Sequence, residues 1–157
     1  ELLELCHRYH VPLIINDNVA LAKKINADGV HIGQSDMEMQ HARELLGADK
    51  IIGVTAKTVE QAKAAQVAGA DYLGSGAVFG TSTKADAKPM ELALFQKICE
   101  SVEIPVVAIG GISGDNVLQL KGRKMAGIAV VSGIFACEDI EKGTAELLEK
   151  VNSIIEQ

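Results

Sequence analysis

The sequence predicts an α/β fold, a (β/α)8 barrel of which strands three to eight are present. Three observations predict it. Short apolar runs alternate with helical patterns along the 157 residues. Hydrophobic residues make up 48% of the chain and aromatic ones only 3%. Polar or glycine-rich residues recur where each apolar run ends. A core short of rings must be filled by Val, Ile, Leu and Ala, the composition of buried parallel strands beneath amphipathic helices. Alternating β-α units read as parallel strands joined by right-handed crossovers.

The elements follow in order. Glu1–Tyr9 reads as the second half of a helix. The runs Val11–Ile15, Gly29–Gly33, Ile51–Val54, Tyr72–Phe79, Pro105–Ile109 and Ile128–Val131 read as strands. Helical patterns fill Val19–Ala27, Met37–Leu46, Val59–Ala68, Pro89–Val102, Asp115–Met125 and a last stretch from about Asp139 to Ile155. Within them Ala62, Ala65, Val67 and Ala68 show helical spacing. Gly47 and Gly69 stand where a helix C-terminus favours glycine, and Pro89 suits a first helical turn. An open doubly wound sheet would place a Gly-rich turn after its first strand. Here that strand ends in Asn16-Asp17 instead. A barrel needs eight units and usually about 250 residues, roughly 200 at the short end. The expectation is a single domain over residues 1–157, N-terminally incomplete, with the first two β-α units missing.

Composition narrows the function. The net charge is −6, and Lys121-Gly122-Arg123-Lys124, the strongest basic group, sits at a predicted helix end. Nucleic acid is therefore not an expected partner. No apolar run approaches the roughly 18 residues of a membrane-spanning helix, and no secretory signal is visible. Cys6, Cys99 and Cys137 are scattered without metal-ligand spacing, as for reduced thiols in the cytoplasm.

Barrel chemistry is built at the C-terminal ends of the strands. Collected there are Asn16 and Asp17, Gln34 to Asp36, Thr55, Thr81 to Lys84, Gly110 to Ser113, and Val131 to Gly133. Thr81, Ser82, Thr83 and Lys84 place short hydroxyls beside one cation, which suits the oxygens of a phosphate or diphosphate. Gly110-Gly111 and Ser132-Gly133 follow the last two strands, where many barrels hold a phosphate on backbone N–H groups. Asp17 and Asp36, at the ends of neighbouring strands, suit Mg²⁺, which takes one or two carboxylates plus water and substrate phosphates. Helix N-capping is the structural alternative for either aspartate. His31 lies within a strand, where a hydrogen-bonded core histidine and a catalytic one are both open. No Ser-His or Cys-His pair can be assembled from the strand ends. The site reads as electrostatic: metal, lysine and hydroxyl donors around phosphoryl oxygens.

These residues resemble a known family. Leu13-Ile-Ile-Asn-Asp17, Ala27-Asp-Gly-Val-His-Ile-Gly-Gln34 with Asp36, Gly76 to Lys84, Ala108-Ile-Gly-Gly-Ile112 and Val130-Val-Ser132 are similar in sequence and order to thiamine phosphate synthase, in register from about Val11 to Ile134. The resemblance implies a (β/α)8 barrel that joins hydroxymethylpyrimidine diphosphate to a thiazole phosphate and releases diphosphate. It implies that Asp17 and Asp36 hold Mg²⁺ and that Asn16 contacts the pyrimidine. Lys84 would bind the diphosphate, and Thr81 to Thr83 the thiazole phosphate together with Gly111, Val131 and Ser132. Thr55 stands where the family usually has Ser and keeps the hydroxyl for a substrate contact. The implied partners are these small molecules and a second copy, since barrels of this sort often pair. The family's second strand carries a Gln-x-Arg-x-Lys motif that this sequence lacks. A thiazole tautomerase is a neighbouring possibility, but its catalytic His has no counterpart in Gly76-Ala-Val-Phe-Gly80. A non-catalytic phosphate-binding barrel would not need both Asp17 and Asp36.

Overall fold

The architecture is a parallel six-stranded half-barrel covered by helices on its outer face, seen in a computed structural model that describes residues 1–80 and 89–155. The elements run α1 (Leu2–Arg8), β1 (Ile14–Asn16), α2 (Val19–Ile25), β2 (Gly29–Ile32), α3 (Met39–Leu46), β3 (Ile51–Thr55) and α4 (Val59–Val67). They continue with β4 (Tyr72–Gly76), α5 (Leu92–Glu100), β5 (Val106–Ile109), a 3₁₀ turn (Val117–Leu120), β6 (Gly127–Ala129), α6 (Ser132–Phe135) and α7 (Ile140–Asn152). Spatial order equals chain order, β1 to β6, with every neighbouring pair parallel. All six strands expected from the apolar runs form.

Register sorts the two faces. Val30 pairs with Ile52 and Ile32 with Val54, then Val54 with Leu73 and Leu73 with Val106. This face is buried beneath the helices: Val30, Ile32, Ile52 and Leu73 are at most 1% exposed, and Phe95 and Ile98 of α5 are fully covered. The alternate residues face the inside of the half-barrel. There His31 pairs with Gly53 and Gly53 with Tyr72, while Thr55 pairs with Gly74. The helix-covered face is thus mainly aliphatic, with Ser75 as a buried polar exception, while the inner face carries glycines and polar side chains beside Ile51, Val107 and Ile109.

Aspartates lock the N-terminal ends of the strands. Asp28, before β2, accepts from Leu13 N at 2.7 Å, and Asp71, before β4, accepts from Ile52 N at 2.7 Å. In each case the aspartate's own N–H returns to the neighbouring strand, to Leu13 O and Ile52 O. Asp71 also pairs with Arg43 at 2.7 Å, and Arg43 donates further to the carbonyls of Lys50 and Gly69. The hydrogen bond from Leu13 holds the Asp28 carboxyl below its ordinary value, helped by His7 at 2.9 Å. A carboxylate with a depressed folded pKa stabilises above its unfolded value, near 3.8, and that share is lost as pH falls through the folded value. Asp28→Asn is expected to make stability fall less steeply below about pH 4. Urea midpoints measured between pH 2 and pH 7 would show it, and an unchanged acid limb would contradict the role given to Asp28.

Three expected elements are corrected. The helix expected at Asp115–Met125 is only the four-residue 3₁₀ turn. Gly122 and Lys124 adopt left-handed φ of 75° and 54°, and the Asn116 side chain is spent on Ser113 N and Gly111 O. Pro89 is not in a first helical turn, because Met90 N donates to Ala77 O at 2.7 Å and α5 begins only at Leu92. The strand expected to reach Phe79 ends at Gly76, and α6 was not foreseen in the sequence. Gly47 and Gly69 take the expected helix-ending positions with φ of 95° and 90°.

Candidate active site

At the ends of β1 and β2 the chain turns two carboxylates outward. Asn16 closes β1 beside His31 and is exposed. Asp17 follows with φ of 64°, a left-handed conformation that costs a side-chain-bearing residue roughly 1–2 kcal/mol. Its N–H is held by His31 O at 2.8 Å, and its exposed carboxylate has no hydrogen bond among the described residues. Backbone strain of this kind gathers at functional positions. Asp36 Oδ2 accepts from Gly33 N at 2.6 Å, which ties its carboxylate to the end of β2. Neither aspartate caps a helix. Asn18 caps α2, accepting from Leu21 N at 2.9 Å, and Glu38 occupies the N-cap position of α3. The capping alternative is thereby removed.

One step further round, the mouth is lined by a polar chain. His31 Nε2 lies 3.0 Å from Thr55 Oγ1, and His31 Nδ1 lies 3.0 Å from Tyr72 Oη. Gln34 Nε2 donates to Thr55 O at 2.6 Å, joining the ends of β2 and β3. Room for the rings comes from two glycines. A Cβ on Gly53 would lie 2.1 Å from Tyr72 Cζ and 2.5 Å from His31 Nδ1, and one on Gly74 would lie 2.9 Å from His31 Cε1. His31 is therefore hydrogen-bonded through both ring nitrogens. Tyr72 was missed as its partner. The only trace in the sequence is the Gly-x-Thr of β3 and the Tyr-x-Gly of β4, whose period-two spacing puts each pair on one face.

The ends of β4, β5 and β6 converge on the other side. A Cβ on Gly111, whose φ is 64°, would lie 2.3 Å from Gly80 O, and one on Gly133 would lie 2.5 Å from Ile112 O. Close passage of three loops demands these glycines, beyond any need of a bound anion. Gly111, Val131 and Ser132 are exposed, and Ser132 opens α6 directly after β6. The structure thus brings Gly111, Val131 and Ser132 together on one side, and Asn16, Asp17, Asp36 and Thr55 on the other. Thr81, Ser82, Thr83 and Lys84 lie outside the described residues. The cysteines supply no nucleophile at the strand ends: Cys99 lies on α5, where burial pushes its thiol up to about 12.

A divalent cation is tested by the donor set. Among the described residues no three His, Cys, Asp or Glu gather in one cluster. The described residues thus form no all-protein cage, while Mg²⁺ takes only one or two carboxylates and fills its shell with water and phosphate oxygens. Two exposed hard oxygen donors from adjacent strand ends fit that requirement.

Comparison with known proteins shows the family. The family model described as thiamine monophosphate synthase matches residues 1–134. A thiamine-phosphate synthase of Ruminiclostridium cellulolyticum is 51% identical over 142 residues, covering 90% of this chain and 68% of that protein. One from Fusobacterium nucleatum is 48% identical over 149 residues, covering 95% and 72%. A solved thiamine phosphate pyrophosphorylase from Pyrococcus furiosus superposes with a TM-score of 0.90 at 40% identity, over 99% of this chain and 74% of that one. With a family model matched over residues 1–134, relatives near 50% identity and a shared backbone fold, the chain belongs to the thiamine monophosphate synthase family.

Proposed function

We propose that this protein joins hydroxymethylpyrimidine diphosphate to a thiazole phosphate, giving thiamine phosphate and diphosphate. The observation that carries the reading is the pair Asp17 and Asp36, delivered to one mouth by adjacent strands and spent on no helix cap. Asp17 and Asp36 would hold Mg²⁺, which when bound supplies positive charge against the diphosphate oxygens. Asn16, exposed beside them, offers an amide to the pyrimidine, and Thr55 a hydroxyl. Lys84, with Thr81 to Thr83, would neutralise the departing diphosphate and the thiazole phosphate. Gly111, Val131 and Ser132 would fix the latter from the β5 and β6 side. As the pyrimidine methylene C–O bond breaks, the electron pair leaves with diphosphate. The thiazole nitrogen lone pair then forms the new C–N bond. That nitrogen carries no proton, so the step needs no general base.

On the same reading the barrel closes with two further β-α units between β6 and β1, which bring the Gln-x-Arg-x-Lys motif to the diphosphate. Support comes from β1 and β6, each hydrogen-bonded to a strand on one side only among the described residues, and from Leu2, Leu5 and Phe135, exposed by 61%, 45% and 70%. The match covers 68% of the Ruminiclostridium relative and 74% of the Pyrococcus structure. No helix among the described residues is long and apolar enough to cross a membrane, and the free thiols fit a cytoplasmic setting.

The deciding assay mixes the full-length protein with both substrates and follows thiamine phosphate and diphosphate together. The expected outcome is equimolar release that stops with EDTA and returns with added Mg²⁺. A folded full-length protein that forms no thiamine phosphate would overturn the proposal, and conversion of the thiazole phosphate alone would point to the tautomerase.

A further inference from the structure

We propose that Tyr72 and His31 are positioning residues that make the Thr55 hydroxyl a hydrogen-bond donor toward the substrate, a role that rests on the synthase reading above. The three side chains form one line from the inside of the half-barrel to its mouth. Tyr72 Oη meets His31 Nδ1 at 3.0 Å, and His31 Nε2 meets Thr55 Oγ1 at 3.0 Å at the C-terminal end of β3. Glycine at positions 53 and 74 leaves the space in which His31 reaches across β3 to both partners.

The direction of this line follows from proton counting. A neutral imidazole has one N–H and one lone pair, and a phenol has one proton to give. Tyr72 has no hydrogen-bond partner but His31 among the described residues, so its O–H is satisfied by donating to Nδ1. Burial raises the phenol's pKa, which keeps that proton in place at neutral pH. With Nδ1 accepting, the ring proton sits on Nε2 and is donated to Thr55 Oγ1. The Thr55 hydrogen is then directed away from His31 and must find an acceptor. In the opposite order Nδ1 donates to Tyr72, the phenol proton has no acceptor among the described residues, and Thr55 spends its own hydrogen on Nε2. The line therefore sets the polarity of the only hydroxyl that β3 brings to the mouth. Its counterpart on the substrate is a lone pair, on a pyrimidine ring nitrogen or on a diphosphate oxygen.

The test uses ¹⁵N-histidine-labelled full-length protein, with the His31 signal assigned by its loss in His31→Gln. The expected spectrum shows Nε2 protonated and Nδ1 as an acceptor, and Tyr72→Phe is expected to move population toward the other tautomer. Calorimetric binding of hydroxymethylpyrimidine diphosphate is expected to weaken about tenfold in Thr55→Val, about threefold in Tyr72→Phe, and by less than twofold in Thr55→Ser. Binding of inorganic diphosphate tells the acceptors apart: an equal loss in Thr55→Val assigns the diphosphate oxygen, and no loss assigns the ring nitrogen. Thermal melts on each variant separate misfolding from lost polarity. A protonated Nδ1 in the parent protein, or equal binding by Thr55→Val and Thr55→Ser, would overturn the proposal. Neither readout needs turnover. Absent thiamine phosphate formation would thus count against the synthase reading alone.

Discussion

Asp17→Asn is expected to lower kcat/KM for thiamine phosphate formation by about 10²- to 10³-fold while leaving the melting temperature nearly unchanged. A metal-held phosphoryl oxygen is worth several kcal/mol of charge stabilisation, and each 1.36 kcal/mol is about tenfold in rate. Asn is the right replacement for a physical reason. Asp17 sits at φ of 64°, a region that Asn tolerates almost as well, and its backbone N–H bond to His31 O is untouched. The change removes charge without asking the turn to refold. Its carboxylate bonds to no described neighbour, so little stability is at stake in the side chain. Steady-state rates across a Mg²⁺ titration, with a melt beside them, make the check. A loss below threefold would mean that Asp17 is not a metal ligand.

The second large effect concerns the fold itself. Gly29→Ala is expected to destabilise the protein by about 3 kcal/mol, the upper range for a side chain forced into occupied space. Gly29 opens β2 between Ile14 of β1 and Ile51 of β3. A Cβ there would lie 2.1 Å from the Ile51 carbonyl oxygen, 2.8 Å from Ile51 Cβ and 2.9 Å from Ile14 Cδ1. The nearest atom is backbone, so relief requires shifting a strand that hydrogen-bonds on both sides. Gly127 opens β6 in the same way, yet a Cβ on it meets nothing within 4 Å among the described residues. Gly127→Ala in the same 157-residue chain is the matched control, with a change near zero. Equal chemical-denaturation midpoints for the two variants would refute the packing argument.

How much of this was legible beforehand depended on the distance over which each feature is decided. Ile14, Val30, Ile52, Leu73 and Val106 could be assigned to strands because side-chain period and β-branching act within a few residues. The same holds for Gly47 and Gly69, whose positive φ answers a local need. Asp17 and Asp36 could be nominated because strand ends are where a barrel gathers polar groups. Whether they capped helices could not, since Asn18 and Glu38 compete for that place within one or two residues.

The Asp115–Met125 stretch shows the opposite case. Its pattern was helical, yet Asn116 prefers Ser113 N and Gly111 O, bonds that exist only once the β5 loop is in place. Gly110 and Gly111 invited an anion in the sequence, and only packing shows that Ala77, Phe79 and Gly80 crowd them. His31 meets partners 24 and 41 residues away, and Arg43 meets Asp71 28 residues away. By itself the sequence determined the β-α order, the buried face and the strand ends where polar residues gather, because those follow from short-range periodicity. Strand register decided which glycine makes room for which ring, because those contacts join residues that no local pattern connects.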